Sequence, residues 1–190
     1  LSNNQKNVFL KEEKQLIVRL QRKDSREAAF KELISLYKKR LYWHIRKIII
    51  SHEDTDDVLQ DTFIKIYKNI ASFKGNSKLY SWMYRIATNQ ALSFLKRNSK
   101  HQQHRLNEVA NDFAINNLTS DIYFEGNDIQ LKLQQAIATL PQKQRLVFNM
   151  RYFDNIKYKD ISDILETSEG ALKASYHIAV KKIEQHLINN

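Results

Sequence analysis

Residues Leu165 to Leu187 read LETSEGALKASYHIAVKKIEQHL and follow YKDISDI at 158–164. The first piece has the apolar spacing of a short helix over Tyr158 to Leu165, with Ile161, Ile164 and Leu165 inward. Glu166-Thr167-Ser168 supplies a turn, and Ser168 is a good N-cap for a second helix. In that helix Leu172, Tyr176, Ala179, Ile183 and Leu187 form the expected buried stripe. Lys173, Ala174, His177, Lys181 and Lys182 are left for the outside. Two short helices joined in this way match a helix-turn-helix, whose second helix enters a DNA major groove by its N-terminal part. Helical hairpins with no DNA role share much of this pattern. Gly170 costs helix stability, so its place in the first turn predicts close approach of a partner helix or a DNA backbone.

The rest of the chain points the same way. Three Gly and one Pro in 190 residues, with apolar residues at three- and four-residue spacing, predict an all-α protein. The net charge of +10 implies a polyanionic partner, nucleic acid first. The absence of cysteine excludes disulfides and thiolate zinc sites. No apolar run approaches bilayer length and the first residues lack a signal-peptide layout, so a soluble, cytoplasmic protein is expected.

Charge also divides the chain. Residues 1–98 carry 20 basic and 10 acidic residues, residues 99–127 carry 2 and 4, and residues 128–190 carry 9 and 7. The middle piece, SKHQQHRLNEVANDFAINNLTSDIYFEGN, has no sustained helical stripe and reads as a flexible linker between two small helical domains.

Two surfaces stand out in the first domain. In SHEDTDDVLQDTFIKIYKNIASF (51–73), Leu59, Phe63, Ile66 and Ile70 form a buried stripe. Asp57, Gln60, Asp61 and Ile64 share a neighbouring strip, which suits protein docking. The acidic opening equally suits the positive end of the helix dipole. A metal site at His52 lacks a second histidine at ligand spacing. From Thr62 to Asn107 there is no acid at all, while Lys65, Lys68, Lys74, Lys78, Arg85, Lys96, Arg97, Lys100 and Arg105 alternate with Phe73, Tyr80, Trp82, Tyr84 and Phe94. Cations for phosphates beside aromatic faces for bases are the ingredients of a single-stranded nucleic-acid surface. Helical spacing turns some of Trp82, Ile86 and Phe94 into the core. FKGNSKLYSW, with Gly75, reads as a loop able to pocket an extruded base, ahead of a helix from about Leu79 to Arg97.

Three ordered blocks, DDVLQDTFIKIY, FKGNSKLYSWMYRIATNQALSFLKR and LPQKQRLVFNMRYFDNIKYKDISDILETSEGALKASYHIAVKKI, resemble the extracytoplasmic-function sigma factors of bacterial RNA polymerase. By position, the resemblance implies that Asp57, Gln60, Asp61, Phe63 and Ile64 meet the polymerase largest subunit. It implies that Lys74, Asn76, Ser77, Trp82, Arg85, Asn89, Lys96 and Arg97 read the melted −10 element. It implies that Arg145, Lys173, Ala174, Ser175, His177 and Lys181 approach the −35 duplex. The linker would pass near the polymerase active centre and RNA exit path.

The chain departs from the family at Leu79, often aromatic there, at Ser93, often Asp, and at Ala171-Leu172, often Thr-Val. Basic residues usual at the positions of Ser175 and Ile178 are absent, which shifts expected affinity toward the −10 domain. The resemblance further implies a non-catalytic initiation subunit without cofactor or metal, monomeric when free. Its implied partners are polymerase core, duplex and single-stranded promoter DNA, and an anti-sigma factor. The rival expectation is a helix-turn-helix regulator with an N-terminal sensor domain, which would dimerise and bind duplex DNA without polymerase. No nucleophile-base pair or phosphate-binding Gly loop suggests an enzyme.

Overall fold

The computed structural model describes residues 3–49, 51–102 and 128–189. These are all helix, turn and loop: α1 (Asn3–Gln21), α2 (Arg26–Ile49), α3 (His52–Asn69), α4 (Leu79–Gln102), α5 (Asp128–Ala138), α6 (Gln142–Tyr152), α7 (Tyr158–Leu165) and α8 (Glu169–Asn189), with a 3-10 turn at Ile70–Ser72. The all-α expectation therefore holds among the described residues. Helix α4 extends to Gln102, and residues 103–127, where most of the linker and Arg105 fall, lie outside the described residues.

Helix α2 is the spine of the first unit. Ala29, Leu33, Tyr37, Leu41, Ile45 and Ile48 are buried at near-fourfold spacing, which keeps one stripe turned inward for the whole length of the helix. Leu16 and Leu20 of α1, Val58, Leu59 and Ile66 of α3, and Met83, Tyr84, Ala87 and Ala91 of α4 close around it. Helix α3 is capped by Ser51, which is extended (φ −78°, ψ 134°) and whose side chain accepts the Asp54 N–H at 3.4 Å. Glu53 and Asp54 then lie in the first turn, at the positive end of the dipole. We predict that Ser51→Ala lowers stability by about 1 kcal/mol in chemical denaturation, since the orphan N–H loses its acceptor.

In the second unit Ala136, Ile137, Leu140, Phe148, Ala179 and Ile183 form a small core of their own, with Phe148 stacked between Tyr152 and Tyr176 at 5.1 and 5.7 Å. Helices α7 and α8 have the bounds of the expected helix-turn-helix. Glu166 adopts the left-handed conformation (φ 52°) that ends α7, and Ser168 accepts the Ala171 N–H at 3.4 Å.

One expectation about α8 is corrected and another is narrowed. Leu187 is 38 % exposed, because the last turns of α8 outrun the helices that bury Leu172, Ala179 and Ile183. Gly170 is exposed with nothing within 4 Å of where a Cβ would stand, so of the two close approaches expected there the partner helix does not make one.

The two units are docked on one another. Leu146, Val147 and Met150 of α6, Ile156, Ile161 and Ile164 in and before α7, and Leu172 of α8 join the same buried cluster as α1–α4. Beside this seam Asp154 receives Lys47 Nζ at Oδ1, and His44 Nδ1 lies 3.5 Å from its Oδ2. His44 is fully enclosed. Its Nε2 is 2.8 Å from Thr88 Oγ1, which lies equally close to Tyr84 O. Burial alone would raise the Asp154 carboxyl, but His44 and the Lys47 charge outweigh it and hold it below the usual carboxylate range. Burial, with the Asp154 charge next, pushes the neighbouring Tyr84 phenol up to about 12.

Candidate nucleic-acid interface

The acidic strip on α3 is as the helical spacing requires: Asp57, Gln60, Asp61 and Ile64 are all exposed. Phe63 is not on that strip. It is buried, with its ring 6.2 Å from Phe30 in an edge contact. Beside the strip runs a groove of about 590 Å³ between α2 and α3, floored by Phe30, Ile34, Leu59 and Phe63, with Ile64 and Tyr67 on its wall. Ile64 and Tyr67 are 45 % and 40 % exposed. Phe30 and Tyr67 were not singled out from the sequence. Their pairing, with centroids 4.9 Å apart, crosses between two helices and leaves no periodic signal on either.

The second surface is the loop before α4 and the first turns of that helix. Gly75 takes φ +72°, which an L side chain resists, and so turns the chain between Lys74 and Asn76. Phe73 is buried under Trp82, their rings 5.2 Å apart, so Trp82 is half core and half surface. Asn76, Ser77, Trp82 and Arg85 line one cleft. Lys74, Asn89, Lys96 and Arg97 are exposed along the same loop and helix. Thus the structure brings four of the eight proposed −10 residues into one pocket and strings the others beside it.

The opposite wall of that cleft was not foreseen. It is Ser162, Asp163 and Glu166 of α7 and its turn. Arg85 Nη1 sits 2.8 Å from Glu166 Oε1, and Lys78 Nζ sits 2.9 and 3.0 Å from the two oxygens of Asp160. Burial first, and then Asp160, raise the Tyr80 phenol well above its ordinary value.

The third surface is α8. Lys173, Ala174, His177 and Lys181 are exposed and Ser175 is half-buried. Lys173 Nζ lies 5.8 Å over the Tyr158 ring, within cation-π range. Ile178 is 44 % exposed on the same side. Arg145 is apart from these. It belongs to α6, is partly buried, points Nη1 at Ala138 O (3.5 Å), and burial pulls its pKa below the ordinary value. No group of three His, Cys, Asp or Glu suited to a metal occurs among the described residues, and none of the described helices is long and apolar enough to cross a membrane.

The chain has relatives among known proteins. Residues 33–101 match Sigma-70 region 2, and residues 130–183 match Sigma-70, region 4. The chain is 28% identical to the ECF RNA polymerase sigma-E factor of Haemophilus influenzae, over 90% of this chain and 93% of that one. It is equally identical to the RNA polymerase sigma-H factor of Pseudomonas aeruginosa, over 93% and 94%. The ECF RNA polymerase sigma factor SigW of Bacillus subtilis is also 28% identical, over 84% and 89%.

Among solved structures, the fold is similar to the sigma factor RpoE in complex with the anti-sigma factor NepR from Bartonella quintana (TM-score 0.67, 21% identity, 83% of this chain and 96% of that one). It is similar as well to CnrH in complex with the cytosolic domain of CnrY (TM-score 0.67, 17% identity, 94% and 98%). With two sigma-70 regions in order along one chain and relatives that match it nearly end to end, the chain belongs to the extracytoplasmic-function group of the sigma-70 family, the RNA polymerase sigma factors.

Proposed function

We propose that the three surfaces divide the work of promoter recognition. The exposed α3 strip, Asp57, Gln60, Asp61 and Ile64, docks on polymerase core together with the α2–α3 groove. Phe63 contributes from beneath, by shaping the groove with Phe30. The loop from Lys74 to Lys78 and the α4 face bearing Trp82, Arg85, Asn89, Lys96 and Arg97 take the unpaired −10 strand. Lys173, Ala174, Ser175, His177 and Lys181 meet the −35 duplex, and Arg145 supports their helix from α6.

The single observation that carries the −10 assignment is the cleft in which Asn76, Ser77, Trp82 and Arg85 converge, a cation and an aromatic ring beside two small polar groups. The working division of the chain is 1–98 for polymerase docking and −10 reading, 99–127 as linker and 128–190 for the −35 element. The mechanism is binding. Greater affinity for the melted than for the paired promoter shifts DNA toward the open state, with no catalytic residue and no cofactor. Such a subunit works in the cytoplasm, as a monomer before it meets core, and an anti-sigma factor restrains it by covering the same surfaces.

The test is capture of polymerase core by the wild type and by Asp61→Arg, followed by promoter-dependent transcription with the recovered complexes. Capture is expected to fall ~10-fold or more in the variant, since a like charge set against a complementary surface is strongly unfavourable. Equal capture by both would remove the acidic strip from the docking face. Tight duplex binding by a dimer that ignores polymerase would favour a helix-turn-helix regulator instead.

A further inference from the structure

We propose that the acidic edge of α7 occupies the DNA-reading surface of α4 in the free chain, so that Asp160, Asp163 and Glu166 and the −10 strand compete for one site. This rests on the reading of Lys78, Trp82 and Arg85 as DNA-binding.

Four observations carry it. The three carboxylates follow at three-residue steps, which puts Asp160 and Asp163 on one side of α7 with Glu166 just past its end. Two of them are engaged with cations of the proposed site. Asp160 holds Lys78 through both oxygens although its own side chain is only 5 % exposed, and Glu166 holds Arg85. Asp163 and Glu166 also wall the cleft that contains Asn76, Ser77 and Trp82, where a base would have to enter. Finally, the acidic edge is held in place by apolar burial: Ile161 and Ile164, on the adjoining face of α7, lie in the cluster shared with α4.

Carboxylates that pair with Lys and Arg stand in for phosphates, since both present anionic oxygens to the same donors. A strand meets those half-exposed donors already engaged and has to displace the carboxylates to pair with them. The −35 surface is not involved: Lys173, His177 and Lys181 stay exposed in the docked arrangement. The closed chain therefore offers a contested surface to one half of a promoter and an open one to the other. Engagement that draws the two units apart would release the −10 surface at the moment it is needed.

The test compares the wild type with Asp160→Asn/Asp163→Asn/Glu166→Gln. A control of equal charge, Glu12→Gln/Glu27→Gln/Glu184→Gln, alters exposed carboxylates on α1, α2 and α8. The probe is a short, mixed-sequence, fluorescent single-stranded deoxyoligonucleotide. The chain has no cysteine, so Ser35→Cys and Gln185→Cys give two clean dye sites on exposed positions of the two units. Expected are lower energy transfer in the α7 variant than in the wild type, a fall in wild-type transfer on adding the oligonucleotide, and ~3- to 10-fold tighter single-strand binding by the α7 variant beyond that of the control.

Single-strand affinity equal to that of the control, in a variant whose helical circular dichroism is intact, would overturn the proposal. Glu166→Gln alone, at an exposed position, serves if the triple variant fails to fold, and is expected to give part of the gain. The underlying site has its own arm. If Lys78→Gln/Arg85→Gln, made in the α7 variant so that release of α7 cannot offset the loss, binds the oligonucleotide as well as the α7 variant alone does, the −10 assignment itself fails.

Discussion

Reversing the two cations at the mouth of the α4 cleft, Lys78→Glu with Arg85→Glu, is expected to lower promoter-dependent initiation by ~100-fold while leaving polymerase capture intact. A hydrogen bond to a charged group contributes about 1.5–3 kcal/mol, so loss of two such contacts amounts to roughly 3 kcal/mol or more, about two powers of ten in binding. The reversal also breaks the pairs with Asp160 and Glu166, which by itself would free the surface and favour DNA. The measured loss is therefore a lower bound on what the two cations contribute.

The salt dependence separates charge from shape. For single-stranded DNA the slope of log affinity against log salt is expected to fall by about 0.7 for each phosphate contact removed. Transcription assays across a salt series, with capture of core as the internal control, decide the matter. Unchanged initiation would show that the strand runs elsewhere on α4, with Asn89, Lys96 and Arg97 the next residues to reverse.

The second large effect concerns the seam. Ile161→Ala should destabilise the chain by about 2–4 kcal/mol, as expected for a fully buried aliphatic side chain that leaves a cavity. That is a large share of the ~5–15 kcal/mol typical of a folded domain. Because Ile161 lies in a cluster that includes residues of both units, it should weaken their docking as well as the helix-turn-helix.

The two tryptophans report on this directly. Trp43 lies in a cleft with Phe153, and Trp82 in the cleft with Ser162, so both sense the seam. The wild type should show coincident fluorescence and far-ultraviolet circular dichroism transitions in urea. In Ile161→Ala fluorescence should change first, as the units part before they melt. Coincident transitions in the variant, with a loss under 1 kcal/mol, would show that Ile161 supports neither.

Much of this architecture was legible along the chain, and the particular residues show why. The buried stripe and exposed strip of α3, the bounds of α7 and the Ser168 cap are all set by positions within four residues of one another. Helical periodicity and capping chemistry act over that range, so composition and spacing are sufficient to read them. The same logic overreached where a local signal had a distant answer. Leu187 fits the stripe of α8, yet none of the described helices covers it, and the partner helix that Gly170 suggests does not approach.

What local signals could not reveal is the pairing of α7 with α4. Lys78 and Asp160 are 82 residues apart, and Lys47 and Asp154 are 107 apart. Asp160 and Glu166 look in isolation like the solvated face of an amphipathic helix, and Lys78 and Arg85 like free phosphate ligands. The sequence by itself determined the helices, their two groupings, the family and the chemistry each surface could offer, because these follow from near neighbours and ordered motifs. Only the tertiary structure decided that one surface is presently filled by another, because a pairing between distant carboxylates and cations depends on how two apolar faces meet in space.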